Sequence, residues 1–260
     1  MTDQVYVGFP TASLDKLVEK VIGLPAPFSP QFFTRGERVS SKLDRVDDSE
    51  RFSAFYNRAR RSSFGMVGEK IFFEFQPNVF RDDARKPLNG YLLVTFKKGF
   101  SHSDKLADLL VQLLDVKGVS FGYVGQWEES SHRHRLKKTW GGSTAGAAST
   151  EMTIGVNFSK YVPGLYWKTA FSESYLSEHD LDVALISSLA IETNTYVSEA
   201  GIKFYIFKFY NDPKSWKDSI ESLEEFCATN KQFFSMRRLQ PNIDAATTEV
   251  ELAEVIGPYS

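Results

Sequence analysis

Val162-Pro163-Gly164-Leu165-Tyr166-Trp167-Lys168-Thr169-Ala170-Phe171 is the stretch that most narrows the folds open to this chain. A Pro-Gly turn signal leads into Leu165, Trp167, Thr169 and Phe171, which alternate with Tyr166, Lys168 and Ala170. That period of two predicts a strand with one face on a core. Beyond it the sequence predicts a helix capped by Ser177, with Leu181, Leu185 and Leu189 inside, and then strands over 193–197 and 202–210. A long helix burying Trp216, Ile220, Leu223 and Phe226 follows, and then a closing strand over 232–236. The order is β-α-β-β-α-β, the ferredoxin-like arrangement.

The first part of the chain reads the same way. Val5-Tyr6-Val7-Gly8-Phe9 predicts a strand, and Ser13 caps a helix with Leu14, Leu17, Val18 and Ile22 on one side, ended by Gly23 and Pro25. Residues 70–76 and 91–97 predict a hairpin with a long polar loop over 82–87 and turn chemistry at Asn89-Gly90. Ser103 opens a helix with Leu106, Leu109, Leu110, Leu113 and Leu114 on one face, and a strand over 119–124 follows. Between the first helix and the hairpin, Pro25, Pro27 and Pro30 mark an irregular loop. Residues 40–61 predict a charged helix carrying Phe52, Phe55 and Tyr56.

Gly90-Tyr91-Leu92-Leu93-Val94-Thr95-Phe96 and Gly201-Ile202-Lys203-Phe204-Tyr205-Ile206-Phe207 each precede a helix and a further strand at similar spacing. The expected fold class is therefore α+β: two tandem ferredoxin-like (β-α-β-β-α-β) halves with antiparallel sheets. The first half spans 1–130, a linker or exposed loop 131–152, and the second half 153–260; the two can pack as one globular unit. Each sheet would have one face free, inviting the halves to meet face to face or edge to edge. The tail after Pro241 reads as peripheral.

Composition limits the partners. The 260 residues are 25% charged with a formal net charge of −2, which argues against a nucleic-acid or membrane-surface partner. Aromatic residues make up 14%, with 22 phenylalanines, so the core or an interface should be rich in rings. The single cysteine, Cys227, excludes an intramolecular disulfide and fits a reducing compartment. With no leader-like start and no apolar run of membrane-spanning length, the expected location is the cytoplasm.

No motif assigns a chemistry. His132 and His134 lack further ligands at zinc spacing, and Gly141-Gly142-Ser143-Thr144 lacks the lysine of a phosphate loop. Cys227 reads as a small buried hydrophobe. The aromatic strand over 204–210 lacks the glycine-and-basic pattern of an RNA-binding sheet. No catalytic residue, cofactor or metal is assigned.

Two stretches resemble a known family. The Val162–Phe171 segment, followed by Tyr175-Leu176, is similar to a motif of bacterial immunity proteins associated with type VI secretion and other polymorphic toxins. Gly118-Val119-Ser120-Phe121-Gly122-Tyr123-Val124-Gly125 resembles a second landmark of those proteins, a glycine-studded strand after a leucine-rich helix. The resemblance implies a non-enzymatic protein whose partner is a cognate secreted toxin, neutralised by occlusion of its active site. Recognition is then expected on a connection carried by a rigid scaffold. Residues 126–140 are the best such segment, with Trp127 and Trp140 as aromatic anchors and Glu128, Glu129, His132 and Arg133 as a charged rim. Two alternatives stay open: an enzyme assembled from dispersed residues such as Glu128, Glu129, His132 and His134, or a small-ligand or regulatory module using a cleft between the halves.

Overall fold

The computed structural model describes residues 2–35, 44–81, 87–97, 103–140 and 148–259. The chain opens with β1 (Asp3–Pro10), α1 (Leu14–Ile22), β2 (Phe32–Arg35), β3 (Asp44–Arg45), α2 (Ser49–Ala59) and β4 (Phe64–Val67). It continues through β5 (Ile71–Arg81), β6 (Pro87–Phe96), α3 (Ser103–Leu114), β7 (Phe121–Gln126), α4 (Trp127–His134), β8 (Arg135–Trp140) and β9 (Ala148–Thr153). Then come β10 (Lys168–Ser172), α5 (Glu173–Glu178), α6 (Val183–Ser187), β11 (Glu192–Val197) and β12 (Lys203–Lys208). The helices α7 (Trp216–Thr229), α8 (Met236–Ala245) and α9 (Glu249–Ile256) close the chain. The expected polar loop over 82–86, the glycine-rich stretch 141–147 and the start of the 40–61 segment lie outside the described residues. So does the side chain of Ser103.

A single antiparallel sheet organises the fold, with strand order β11-β12-β10-β7-β1-β6-β5-β4-β2-β3. The ladders β7–β1, β1–β6 and β6–β5 place the first and third strands of a β-α-β-β unit side by side, the arrangement read from the sequence for the first half. Strands β2 to β4 and helix α2 are inserted between α1 and β5 and extend that edge. In the second half β10, β12 and β11 repeat the neighbour order, but the place beside β10 where a closing strand would lie is taken by β7. Residues 232–236 accordingly form no strand; Phe233 makes one parallel bridge to Val162, and Met236 begins α8. Two separately closed ferredoxin-like halves are therefore not what forms. The halves share one sheet and meet through the β7–β10 ladder.

Both sides of the middle of this sheet are covered. Val5, Val7, Phe9, Leu92 and Val94 are buried on the side where α3 packs, and a side chain at Gly122 would strike Leu110 and Val7. On the other side Phe121 stacks against Phe158, Phe171 and Tyr175, with ring centres 6.3, 5.6 and 5.4 Å away. The expected free face is thus filled at β7 and β10 by α5 and the segment that precedes β10. This double cover also explains the organising stretch. Only 168–172 join the ladder, and every residue from Leu165 to Phe171 except Lys168 is buried, as in strands covered on both faces.

The tail is not peripheral. Leu239 and Ile243 of α8 and Leu252 and Ile256 of α9 pack with Leu136, Ile154, Tyr161 and Phe234 into a second core beside the β8–β9 hairpin. The expected Ser177-capped helix is two short ones, α5 capped by Ser172 and α6 capped by Asp182. Asp180, between them, has a positive φ of 51°. No helix among the described residues is long and apolar enough to cross a membrane.

Candidate functional site

Residues 127–134, expected to be part of an exposed loop, form α4 directly after β7. Their pattern hides a helix because its inner face is charged. Glu129 and Arg133 stand one helical turn apart, so both side chains leave the same face. Acids in the first turn and bases in the last also complement the helix dipole.

That inner face is fastened to four other parts of the chain. The Arg133 guanidinium donates to Glu129 Oε1 from Nε at 3.4 Å and from Nη2 at 3.1 Å. It also donates to the Leu165 carbonyl at 2.8 Å and to Glu224 of α7, and its Cζ sits 5.1 Å from the centre of the Tyr166 ring. Tyr210 donates its hydroxyl to the other Glu129 oxygen at 2.6 Å. His134 binds the Ile154 carbonyl through Nδ1 at 2.9 Å and the Tyr166 hydroxyl through Nε2 at 2.7 Å. A carbonyl can only accept, so Nδ1 carries the proton and Nε2 accepts from Tyr166. Tyr166 is itself stacked on Tyr123 of β7, ring centres 3.7 Å apart.

Burial sets the electrostatics here. Desolvation raises the Glu129 carboxyl above its ordinary value, against the opposing pull of Arg133 and Tyr210. It lowers His134 to about 3, so the imidazole is neutral, as its hydrogen bonds require. It pushes the Cys227 thiol up to about 12, the behaviour of the buried hydrophobe expected from the sequence.

The outer side of α4 is a ridge between two depressions. On one side lies a groove of about 590 Å³. Its floor is a row of stacked, largely buried tyrosines on the sheet, Tyr6 lying between Tyr91 at 5.2 Å and Tyr123 at 5.0 Å. Trp127, Ser130 and Ser131 of α4 line it together with Val79, Leu93, Val156 and the β9 residues Glu151, Met152 and Thr153. On the other side a broad depression of about 790 Å³ is lined by Glu128, Ser131, His132, Lys137, Trp216 and Lys217. His132 packs on Trp216 at 5.6 Å, and the Arg135–Glu151 ion pair borders both hollows. Trp127, at the start of the ridge, is 45% exposed.

The structure divides the residues expected at a partner surface. Trp127, Glu128 and His132 lie on the ridge. Glu129 and Arg133 are interior, because their charges satisfy one another and Glu224. Trp140 is half-buried at the end of β8, with its Nε1 donating to Thr150 at 3.0 Å. For the enzymatic alternative, Glu129 and His134 have both polar ends engaged inside the protein. Sequence reasoning missed Tyr6, Tyr91, Tyr123 and Trp216 as residues that line these hollows, Tyr6, Tyr123 and Trp216 being almost wholly buried. Each tyrosine sits singly in its own strand, so their meeting depends on the tertiary fold. Among the described residues no group of histidine, cysteine and acidic side chains is placed to hold a metal ion.

No protein-family model matches the sequence, and no curated protein matches it. Among solved structures, the Pseudomonas aeruginosa T6SS protein PA0821 aligns over 82% of this chain and 71% of its own, at 12% identity and a TM-score of 0.43.

Proposed function

We propose that this chain is an immunity protein that binds a cognate secreted bacterial toxin and neutralises it by covering its active site or substrate channel. The observation that carries the reading is the α4 ridge: an exposed Trp127 on a helix whose inner face is locked by Glu129, Arg133 and His134. A half-exposed tryptophan on a preorganised element, beside a tyrosine-floored groove, has the composition of an interface anchor. Preorganisation also lowers the ordering cost of association. The resemblance of Val162–Phe171 and Gly118–Gly125 to immunity-protein landmarks points the same way. Glu128, His132, Lys137 and Lys217 supply the charged margin that would steer encounter.

The test is growth protection and binding against the toxin encoded beside this chain, using the variant Trp127→Ala, Glu128→Lys, His132→Glu. Trp127 and His132 are exposed, whereas Glu128 is half-buried and accepts from the Thr2 N–H at 3.4 Å. The melting midpoint is therefore measured for the triple variant and for Trp127→Ala, His132→Glu alone, which should stay close to the parent. Loss of a central tryptophan anchor alone should weaken binding by roughly 30-fold or more. Full protection and undiminished binding by the triple variant would move the interface away from α4.

A further inference from the structure

Strand β11 ends the sheet, and among the described residues nothing pairs with its outer side. Five of its six residues are exposed; only Tyr196 is partly covered, and its hydroxyl is tied to Asp115. Its ladder to β12 runs from Glu192 opposite Lys208 to Val197 opposite Lys203 without a shift. It therefore lacks the usual devices that blunt a sheet edge: proline, lysine, a bulge or extreme shortness. The strand at the other end, β3, has two residues. Ile191, just before β11, is 54% exposed and Val197 at its end 62%, so two bare apolar side chains bracket the strand's outer edge, the Ile191 N–H itself being bonded inward to the Lys208 carbonyl.

We infer that β11 pairs antiparallel with β11 of a second copy of this chain about a twofold axis, joining two sheets into one. Alternate residues of a strand turn their N–H and C=O groups outward, so a twofold pairing must set residues of like parity opposite each other. Centred on Asn194, that rule places Ile191 against Val197 of the second copy, Thr193 against Thr195 and Glu192 against Tyr196. Apolar meets apolar, the threonine hydroxyls face each other, and no like charges are opposed, all favourable cross-strand pairings. Moving the centre to Thr195 sets Ile191 against Glu199, and moving it to Thr193 sets Val197 against Leu189 but leaves Ile191 against Thr195. Only the central register matches both bare apolar ends to each other. The interface is isologous, as a closed dimer requires. It uses an element separate from the α4 ridge and does not depend on the toxin-binding reading.

The register makes Asn194 its own partner, which supplies the experiment. Asn194 is exposed and its side chain binds only within the strand, to Glu192 at 2.7 Å, so substitution there should leave the fold intact, as checked by the melting midpoint. In sedimentation velocity over a range of concentrations, the parent chain should dimerise. Asn194→Lys and Asn194→Asp should each weaken that dimer by roughly tenfold or more through like charges set opposite each other. An equimolar mixture of the two variants should restore it. A parent chain that stays monomeric throughout, a dimer indifferent to Asn194→Lys, or a mixture that remains monomeric would each overturn the inference.

Discussion

Arg133→Met removes the charge that holds α4 from inside while keeping an unbranched apolar stem among the same neighbours. In the parent fold Arg133 is the shared donor for Glu129, Glu224 and the Leu165 carbonyl. Without it the Leu165 carbonyl loses a buried partner, which costs about 1–3 kcal/mol. Glu129 is left fully buried with the Tyr210 hydroxyl and the Gln126 backbone as its remaining support, and breaking a buried ion pair from one side costs about 3–5 kcal/mol. Glu224 retains some solvent access and adds less. The two costs overlap, because relaxation that serves one serves the other, so the expected loss at pH 7 is about 3–5 kcal/mol. Against a typical total of about 5–15 kcal/mol, that is readily measured.

The loss should shrink in acid. Burial already raises the Glu129 pKa, and removing the guanidinium raises it further. A carboxyl whose folded pKa lies above its unfolded value binds more protons in the native state, so the variant recovers stability as pH falls toward the unfolded carboxyl range. The Arg133 charge is also one cause of the lowered His134 pKa, after burial, so its removal eases the His134 penalty in acid and acts in the same direction. Urea denaturation followed by circular dichroism at pH 7 and pH 5.5 supplies both comparisons. Adding Glu129→Gln, which keeps an acceptor for Tyr210 and removes the stranded charge, should restore about 2 kcal/mol or more. A penalty below about 1 kcal/mol at pH 7, or no relief from Glu129→Gln, would refute the reasoning and make the Arg133 contacts incidental.

Two further outcomes are expected. His134 has its folded pKa lowered from 6.5 to about 3, so the unfolded chain takes up a proton that the native state refuses. Its contribution is fully present above about pH 6.5 and falls by up to about 1.4 kcal/mol per pH unit below that; His134→Asn should flatten the acid limb of a urea-midpoint profile. Trp167, buried between β7 and the chain leaving β12, should cost about 3–5 kcal/mol on replacement by alanine, and an unchanged melting midpoint would place its ring at the surface.

What the sequence disclosed depended on whether burial was one-sided. Strands β1, β5 and β6 and helices α1, α3 and α7 carry clear periodicity, and each was legible from spacing. Where both faces are buried the alternation disappears, so Leu165, Tyr166 and Trp167 looked like strand residues although pairing begins at Lys168. Asn89-Gly90, which reads as a turn, lies inside β6 opposite the irregularity in β5. A side chain at Gly90 would run into the Gln76 carbonyl and the backbone of Pro77. Helix α4 was invisible because buried charges, not apolar residues, mark its inner face. The closing strand over 232–236 failed for a nonlocal reason, since β7 already occupies the position it would take. Trp127, Glu128 and His132 were legible as polar-aromatic candidates. The groove beside them was not, because Tyr6, Tyr91 and Tyr123 come together only through the β6–β1–β7 register.

The two landmark stretches turn out to be neighbours, and that bears on what they can signify. Gly118–Gly125 runs into β7, Val162–Phe171 runs into β10, and these two strands pair Phe121 with Phe171 and Tyr123 with Thr169. Gly125 sits where a side chain would meet Tyr166 and Glu129, so its smallness serves the seam and the charged network beneath α4 together. A chain with this seam must keep glycine and aromatic residues there whatever it binds, because every β7 position and every β10 position except Lys168 is buried. The landmarks therefore report how the two halves are joined. On the proposed function, partner choice would be carried by side chains outside the seam, and α4 is the first element after β7 with an outer face. Because Arg133 ties that helix to the Leu165 carbonyl within the Val162–Phe171 landmark, the ridge is set by the seam, while Trp127 and His132 are exposed on it and the half-buried Glu128 accepts from the Thr2 N–H. Exchange of Trp127 and His132 should alter partner selectivity at nearly constant stability, whereas substitutions at Gly125 or Tyr166 should lower stability first and binding only as a consequence.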